Sequence, residues 1–534
     1  MGVICKKCFS RFAVKPFWAK FTANLGPEHK HTRIMKQIYT RLALAAICLA
    51  AFVPARAALF YDFSVDGVYY YYNDDSTTVT VTYSSILLNG YSGDVVIPSA
   101  VVYDGDTLAV TAIGPMAFWN CTSLTSVSVP SGVVSVGSLA FLRCTSLAAI
   151  DLPESVASIG GYAFWNCASL ASATLPSGLS TITYGMFSGC TSLKAVTIPQ
   201  YVDSIGMSAF SGCTALTAIA FPDATQHIGQ LAFSGCTSLA SATFGSSVQT
   251  IGLSAFSDCA ALTSVELPST LTTVGQLAFN GCTGLTAVSL PANVEEVGLS
   301  AFYGCTGLVS IAFSDKMTSI EAYTCSGCTS LTSVTLPSSA TDIGVGAFYG
   351  CVSLDSISLP ATTGSIGTSA FASCALTSLT LPEAVESIGS LAFSGCDSLA
   401  EIYSLNTTPP VISNSTAFDS IAYNSAAVYV PQGCLSDYQA DSVWSLFLNM
   451  TEMGSGDEDG VTDIQAAASQ EAFTVAGGAL TLLQDGARVE VYTAAGALIY
   501  SGVSRAGQSV ELPSSGVYIA RVDGKSSKIA VQLK

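Results

Sequence analysis

The stretch Leu262-Thr-Ser-Val265-Glu-Leu267-Pro268-Ser-Thr-Leu271-Thr-Thr-Val274-Gly275-Gln-Leu277-Ala278-Phe279-Asn-Gly281-Cys282 is one period of the pattern that decides the fold. Cysteines at 121, 144, 167, 190, 213, 236, 259, 282, 305, 328, 351 and 374 stand 23 residues apart, and Cys396 follows after 22. Phenylalanine keeps the same register three residues upstream in twelve of these thirteen units, from Phe118 to Phe393, with Cys325 in its place in the remaining one. After each cysteine comes a leucine, as in Cys121-Thr-Ser-Leu124, then alternating apolar residues, Val127 and Val129, usually closed by a proline such as Pro130. A second short run, Val133-Val-Ser-Val136-Gly137, leads into Ala140-Phe141.

Each column has a physical reading. Leu124 to Val129 alternates as a short strand does, with Leu124 and Val127 inward and Thr125, Ser126 and Ser128 outward. Pro130 ends the ladder because it has no N–H to donate. The Gly137 column suits a bend that needs either a positive φ or close backbone approach. One unit of this length cannot bury its own apolar face, but stacked units can. The expectation is therefore a β-rich solenoid of about thirteen 23-residue coils with short parallel strands. Its core columns are represented by Phe118 and Cys121, Phe141 and Cys144, Phe164 and Cys167, and Phe279 and Cys282. At ~4.8 Å per strand step the array is roughly 60 Å long. Each buried Phe contributes ~1.5–3 kcal/mol. The 22-residue step is a one-residue deletion at Cys374-Ala-Leu376, in a loop that a solenoid can absorb.

Composition narrows the function. Half of the 534 residues are apolar and 10% are charged. The longest apolar run, Leu42–Val53, is nevertheless only twelve residues, which excludes a multi-span membrane protein. Ten of the 19 basic residues fall within the first 57, so residues 58–534 carry 9 basic and 36 acidic side chains, a net charge of −27. Such a surface repels phosphate backbones, which excludes nucleic-acid binding as a main function. Met35, Lys36 and Arg41, the apolar run and Ala55-Arg56-Ala57 together have the form of a secretory signal peptide over 35–57. Residues 1–34 then read as an extension from an upstream start, and the mature chain begins near Ala58. Cys5-Lys-Lys-Cys8 with His29 and His31 fits a zinc site loosely, but a second Cys pair is missing.

The repeat columns closely resemble those of the BspA-type leucine-rich repeat over residues 111–402. Val65-Asp-Gly67-Val-Tyr69-Tyr through Val79-Thr-Val81 resembles that family's N-terminal hairpin, and Leu88-Asn-Gly90-Tyr91 to Ile97-Pro98 its first irregular coil, giving a cap over 58–110. Residues 403–453, with Pro409-Pro410, Ala417-Phe418, Val430-Pro431 and Tyr438, resemble its closing unit, followed by a linker over 454–460. The resemblance implies an adhesin that binds host matrix proteins or other cells.

The tail, 461–534, holds six basic and six acidic residues and loses the repeat. Alternating segments at Ala479–Leu483, Arg488–Tyr492, Ala497–Tyr500, Ser509–Leu512, Gly516–Val522 and Lys528–Val531 read as a small immunoglobulin-like β-sandwich. Val491-Tyr492…Gly496, Leu512-Pro…Gly516-Val-Tyr518-Ile and the final Lys528-Ile-Ala-Val531 resemble a type IX secretion sorting domain of Bacteroidota. That resemblance implies contact with the secretion machinery and export to the outer surface or medium.

Candidate chemistry is sparse. The cysteine column is close enough for disulfides, but its odd number and its equivalence from coil to coil favour buried thiols acting as small hydrophobes. For Cys325-Ser-Gly-Cys328 two readings stay open, a local disulfide or simply a smaller core. His227, the one histidine after residue 57, lies in a polar surface column of Ser and Thr, and a Ser-His-Asp arrangement around it is the weaker reading. Glu295-Glu296 lacks a cleft, and Asp457-Glu-Asp459-Gly460…Asp463 lacks the distal Glu of a calcium loop. No catalytic, cofactor-binding or metal residues are assigned, and no enzyme is expected. Trp119, Trp165, Tyr303 and Tyr349 occupy the position after Phe, where most coils have Ser, and are the candidate ligand contacts. They either anchor a protein or glycan, or pack over the turns. The function expected is an exported, cell-surface or secreted binding protein without a transmembrane span in its mature chain. A structural spacer or coat component is the alternative, and a secreted hydrolase comes last.

Overall fold

The computed structural model describes residues 61–83 and 90–453, together with the backbone of seven strands between 473 and 531. The expected leader over 1–57, with Cys5, Cys8, His29 and His31, lies outside the described residues, as do Leu88, the linker 454–460 and the acidic run to Asp463.

Three ladders of hydrogen bonds hold the coils together. The strands Ala218–Ala220, Ser241–Thr243, Ser264–Glu266, Ala287–Ser289, Ser310–Ala312 and Ser333–Thr335 form one parallel sheet. The two-residue strands Thr181–Ile182, Ser204–Ile205, His227–Ile228, Thr250–Ile251, Thr273–Val274 and Glu296–Val297 form another. Register is one repeat per step, with Ala242 beside Val265 and Ile251 beside Val274. After the deletion it becomes 22 residues, Ser365 beside Ser387, while Cys374 and Leu376 keep their buried places. The third ladder runs through the Ala-Phe turn, where Phe141 N–H donates to Ala163 C=O and Phe233 N–H to Ala255 C=O, both at 2.7 Å. Parallel strands need both faces of a coil closed, and the turn closes the third side with its own cross-coil bonds.

Inside, the phenylalanine rings form a column. From Phe118 to Phe302 successive rings stack with centroids 4.9–5.5 Å apart. The column resumes from Phe348 through Phe371 and Phe393 to Phe418 after the gap at Cys325. Tyr91 covers its first ring at 4.5 Å, and Tyr423 and Phe447 pack edge-on against its last.

Glycine placement resolves the two readings of the Gly137 column. A Cβ on Gly137 would fall 2.3 Å from the Pro115 nitrogen, so close approach of the preceding coil excludes a side chain there. The positive φ lies elsewhere, just before cysteine, as at Gly281 (φ +70°), Asn120 and Asp258. A second left-handed residue stands two before each Phe position, and there Leu139, Tyr162, Ser254 and Leu277 accept a conformation that favours glycine.

At the N-terminus, Phe63–Val65, Val68–Tyr72 and Thr78–Thr82 form an antiparallel meander. Asp106–Ile113 joins it in parallel to Ser135–Val136, so the cap extends the two-residue ladder. Gly93–Val96 pairs with Leu124–Ser128 and starts the other sheet. At the opposite end, the strands Ser378–Leu381, Glu401–Ser404, Ala427–Val430 and Asn449–Glu452 form a parallel sheet, with the helices Ser420–Ser425 and Leu435–Ala440 in its connections. Trp444 and Tyr438 are fully buried there. The Trp444 indole donates to Pro410 C=O at 2.9 Å and the Tyr438 hydroxyl to Asn406 C=O at 2.9 Å, so each polar tip is satisfied.

The tail backbone forms two antiparallel sheets. One orders Phe473–Ala476, Ala479–Leu482 and Ser509–Glu511, and the other Leu498–Val503, Arg488–Thr493, Gly516–Val522 and Lys525–Val531. The first strand, Phe473–Ala476, was missed by the sequence pattern.

Candidate functional site

The exposed turn face is built by residues on either side of the buried Phe. The column after the buried Phe reads Trp119, Leu142, Trp165, then Ser in most coils, with Tyr303 and Tyr349 later; small members such as Ser188 and Ser326 are buried, and the larger rings reach solvent. Tyr303 is 46% exposed and Tyr349 48%, whereas Trp119 and Trp165 are half-buried. Trp165 packs against Tyr162 at 5.2 Å, and Tyr162 meets Tyr184 edge-on at 5.1 Å.

Three of the tyrosines on this face, Tyr162, Tyr184 and Tyr323, escaped the reading of the sequence because they lie in different columns. Each covers a glycine one coil away. A Cβ on Gly185 would meet the Tyr162 ring at 2.1 Å, one on Gly161 the Tyr184 ring at 2.1 Å, and one on Gly346 the Tyr323 ring at 2.5 Å. A Tyr with a Gly 23 positions away is the signal that would have found them. The glycine lets the ring lie flat on the backbone, which fixes its orientation while leaving Tyr184 48% and Tyr323 41% exposed.

The cysteine column performs no exposed chemistry. Every cysteine from Cys121 to Cys396 is a free, buried thiol. From Cys144 to Cys328, each column thiol donates to the carbonyl of the Phe one coil back, at 3.0–3.3 Å. The same carbonyl accepts the backbone N–H of its own coil's cysteine, as Phe256 C=O does from Cys259 at 3.2 Å. The thiols are therefore small donors as well as small hydrophobes, tying coil to coil. Burial pushes the Cys236 and Cys396 thiols up to about 12, so neither supplies the thiolate that nucleophilic chemistry needs. Cys325 is fully buried in the gap of the Phe column, and Cys351 donates to its carbonyl at 3.2 Å.

His227 sits in its ladder between Ser204 and Thr250 and shares a hydrogen bond of 2.9 Å with the Thr250 hydroxyl through Nδ1. The Ser204 hydroxyl donates to Asp203 at 2.8 Å, so the carboxylate engages the serine rather than orienting the imidazole. That is the wrong order for a charge-relay triad. Glu295 pairs with Lys316 at 3.3 Å on an exposed surface. Among the described residues no group of three His, Cys, Asp or Glu side chains is placed to hold a metal ion, and no helix is long and apolar enough to cross a membrane.

Residues 111–236, 203–332 and 318–436 match the model of the BspA type leucine-rich repeat region. The chain belongs to the BspA-type leucine-rich repeat family. Among solved structures, a leucine-rich repeat protein of Bacteroides ovatus is 29% identical, covering 64% of this chain and 94% of its own, with a TM-score of 0.45. A leucine-rich cell surface protein of Faecalibacterium prausnitzii is 24% identical over 74% of this chain and 96% of its own, with a TM-score of 0.39. The pneumococcal vaccine antigen PcpA is 17% identical over 74% of this chain and all of its own (100%), with a TM-score of 0.42. No curated protein sequence matches the chain.

Proposed function

We propose that this BspA-type solenoid is an exported, non-enzymatic binding protein, adhesin-like, displayed at the cell surface or released, which recognises a host or neighbouring-cell protein or glycan. The observation that carries the reading is the set of aromatic rings at the position after Phe, Trp119 and Trp165 half-buried near one end and Tyr303 and Tyr349 exposed toward the other, where most coils have Ser. Rigid aromatic side chains give large contact area at small entropic cost, which is why they dominate binding hot spots. The broad side of a solenoid is the usual binding face of such arrays. The signal peptide over 35–57 supplies export across the inner membrane, and the tail from 461 acts as a type IX sorting domain.

The test is a screen of the purified mature chain against matrix proteins, glycans and intact cells, repeated with Tyr303→Ser and Tyr349→Ser. Binding that falls on substitution supports the reading. Absence of binding across the screen would reduce the solenoid to a spacer.

A further inference from the structure

Three successive coils place the exposed rings of Tyr303, Tyr323 and Tyr349 on the solenoid surface, and the chemistry around them specifies a partner. In three successive coils these rings alternate on the turn face, with Leu299 (40% exposed) and Val345 (39%) beside them. Tyr323 is held by its left-handed backbone (φ +57°) and by contact with Gly346, so its exposed ring is preorganised. Along the edge of the same face runs a row of carboxylates. Glu296 and Asp342 occupy equivalent places two coils apart in the two-residue strands, and Glu321 stands in the coil between them, where most coils carry the corner glycine. All three are exposed. Hydrogen bonds from Ser365 and Thr341 hold the Asp342 carboxyl below its ordinary value, which keeps it charged. Lys316, the one base within residues 294–350, is already paired with Glu295. Across residues 61–453 the imbalance is general, three basic residues against 27 acidic.

We infer that this surface, the aromatic rings of Tyr303, Tyr323 and Tyr349 bordered by Glu296, Glu321 and Asp342, docks an arginine-bearing basic segment of a partner protein. A guanidinium stacks on an aromatic face while its planar fork of donors reaches a nearby carboxylate, and these coils carry both kinds of group, Glu321 standing two residues before Tyr323. An anionic glycan would meet uncompensated repulsion from the carboxylate row, and a neutral one would make no use of its charge. The inference rests on the binding-protein reading above and names the class of partner for it.

The probe is a fluorescent nona-arginine peptide compared with nona-lysine, titrated by anisotropy against the mature chain at about 0.15 M salt, where exposed charges are screened within roughly 8 Å. Wild type is expected to prefer the arginine peptide, because lysine cannot stack and fork together. The combined variant Tyr303→Ser, Tyr323→Ser, Tyr349→Ser is expected to lose at least about tenfold in affinity for nona-arginine and to lose the preference. Tyr201→Ser, a remote tyrosine 63% exposed, should change neither. If the triple variant fails to fold, Glu321→Gln reads the same site and should narrow the arginine preference. Equal binding of the two peptides by wild type, or binding unaffected by loss of the rings, would show bulk charge attraction only and overturn the inference. Binding of neither peptide would also overturn it. The wider screen is scored separately, so a partner found there preserves the binding-protein reading in either case.

Discussion

Replacing Phe256 with Ala in the middle of the ring column measures how much the stack contributes beyond simple burial. Phe256 is fully buried. It is stacked between Phe233 at 5.2 Å and Phe279 at 5.5 Å, and meets Phe221 at 6.5 Å and Phe244 at 5.8 Å edge-on. A buried Phe→Ala change costs about 3–5 kcal/mol, with the high end expected where neighbours cannot collapse into the space. Here the neighbours are fixed by three ladders, so the cavity should persist. Phe348 is the internal control, equally buried but stacked only on Phe371 at 5.4 Å, because Cys325 occupies its other side. Each aromatic pair adds ~0.5–1.5 kcal/mol beyond area. Phe256→Ala should therefore exceed Phe348→Ala by at least about 1 kcal/mol. Urea unfolding followed by circular dichroism and fluorescence gives the two costs where the transitions coincide. Amide hydrogen exchange in the flanking coils gives them locally, since a repeat array opens by neighbours rather than as one unit. Equal costs, or a larger one at Phe348, would refute the argument that ring stacking adds to burial here.

Other consequences are as direct. Gly252→Ala places a Cβ 2.8 Å from the Ile228 oxygen and the Gln230 nitrogen, both backbone, and should destabilise by about 1–3 kcal/mol, seen as a lower midpoint in thermal melts. Of the thiols after residue 57, Cys434 alone should react with maleimide in the native state, because the rest are buried; intact mass after labelling counts the adducts, and several on the folded protein would contradict the thiol column. Asp223 accepts the N–H and hydroxyl of Ser246, one coil on, at 2.9 Å each, and these bonds hold its carboxyl below the usual value. With the folded value depressed, its stabilisation is present above the unfolded carboxylate pKa of about 4 and is lost as pH falls through the folded value. Asp223→Asn should accordingly lower the melting midpoint at neutral pH, and the gap to wild type should narrow as the pH falls below the unfolded carboxylate value of about 4; a constant gap down to the acid limit of the melts would exclude the ionised contact as its cause.

The columns most legible in the sequence were those where side-chain volume decides. The Phe and Cys register, the alternation from Leu124 to Val127 and the deletion at Cys374-Ala-Leu376 all describe what fills the interior, and the solenoid follows from them. What stayed hidden depends on backbone direction. The third ladder through the Ala-Phe turn leaves no residue preference of its own, because any residue supplies an N–H and a C=O. The bond from most column thiols to the Phe carbonyl one coil back is invisible for the same reason, so cysteine read only as a small hydrophobe. For the Gly137 column the sequence left positive φ and close approach open, and the left-handed positions themselves went unread, since Leu139 and Leu277 carry no mark of the conformation they adopt. On the binding face, the position after Phe led to Tyr303 and Tyr349. Tyr323 was missed because its partner, Gly346, stands a full coil away and becomes meaningful only when the coils are stacked.

The most direct test of the account as a whole is fractionation of the native host, with intact-mass analysis of the product. The expected product is a chain running from about Ala58 to near Gly460, found on the cell surface or in the medium, with its solenoid accessible to added protease or antibody. A product ending at Lys534 and confined to the periplasm would contradict it.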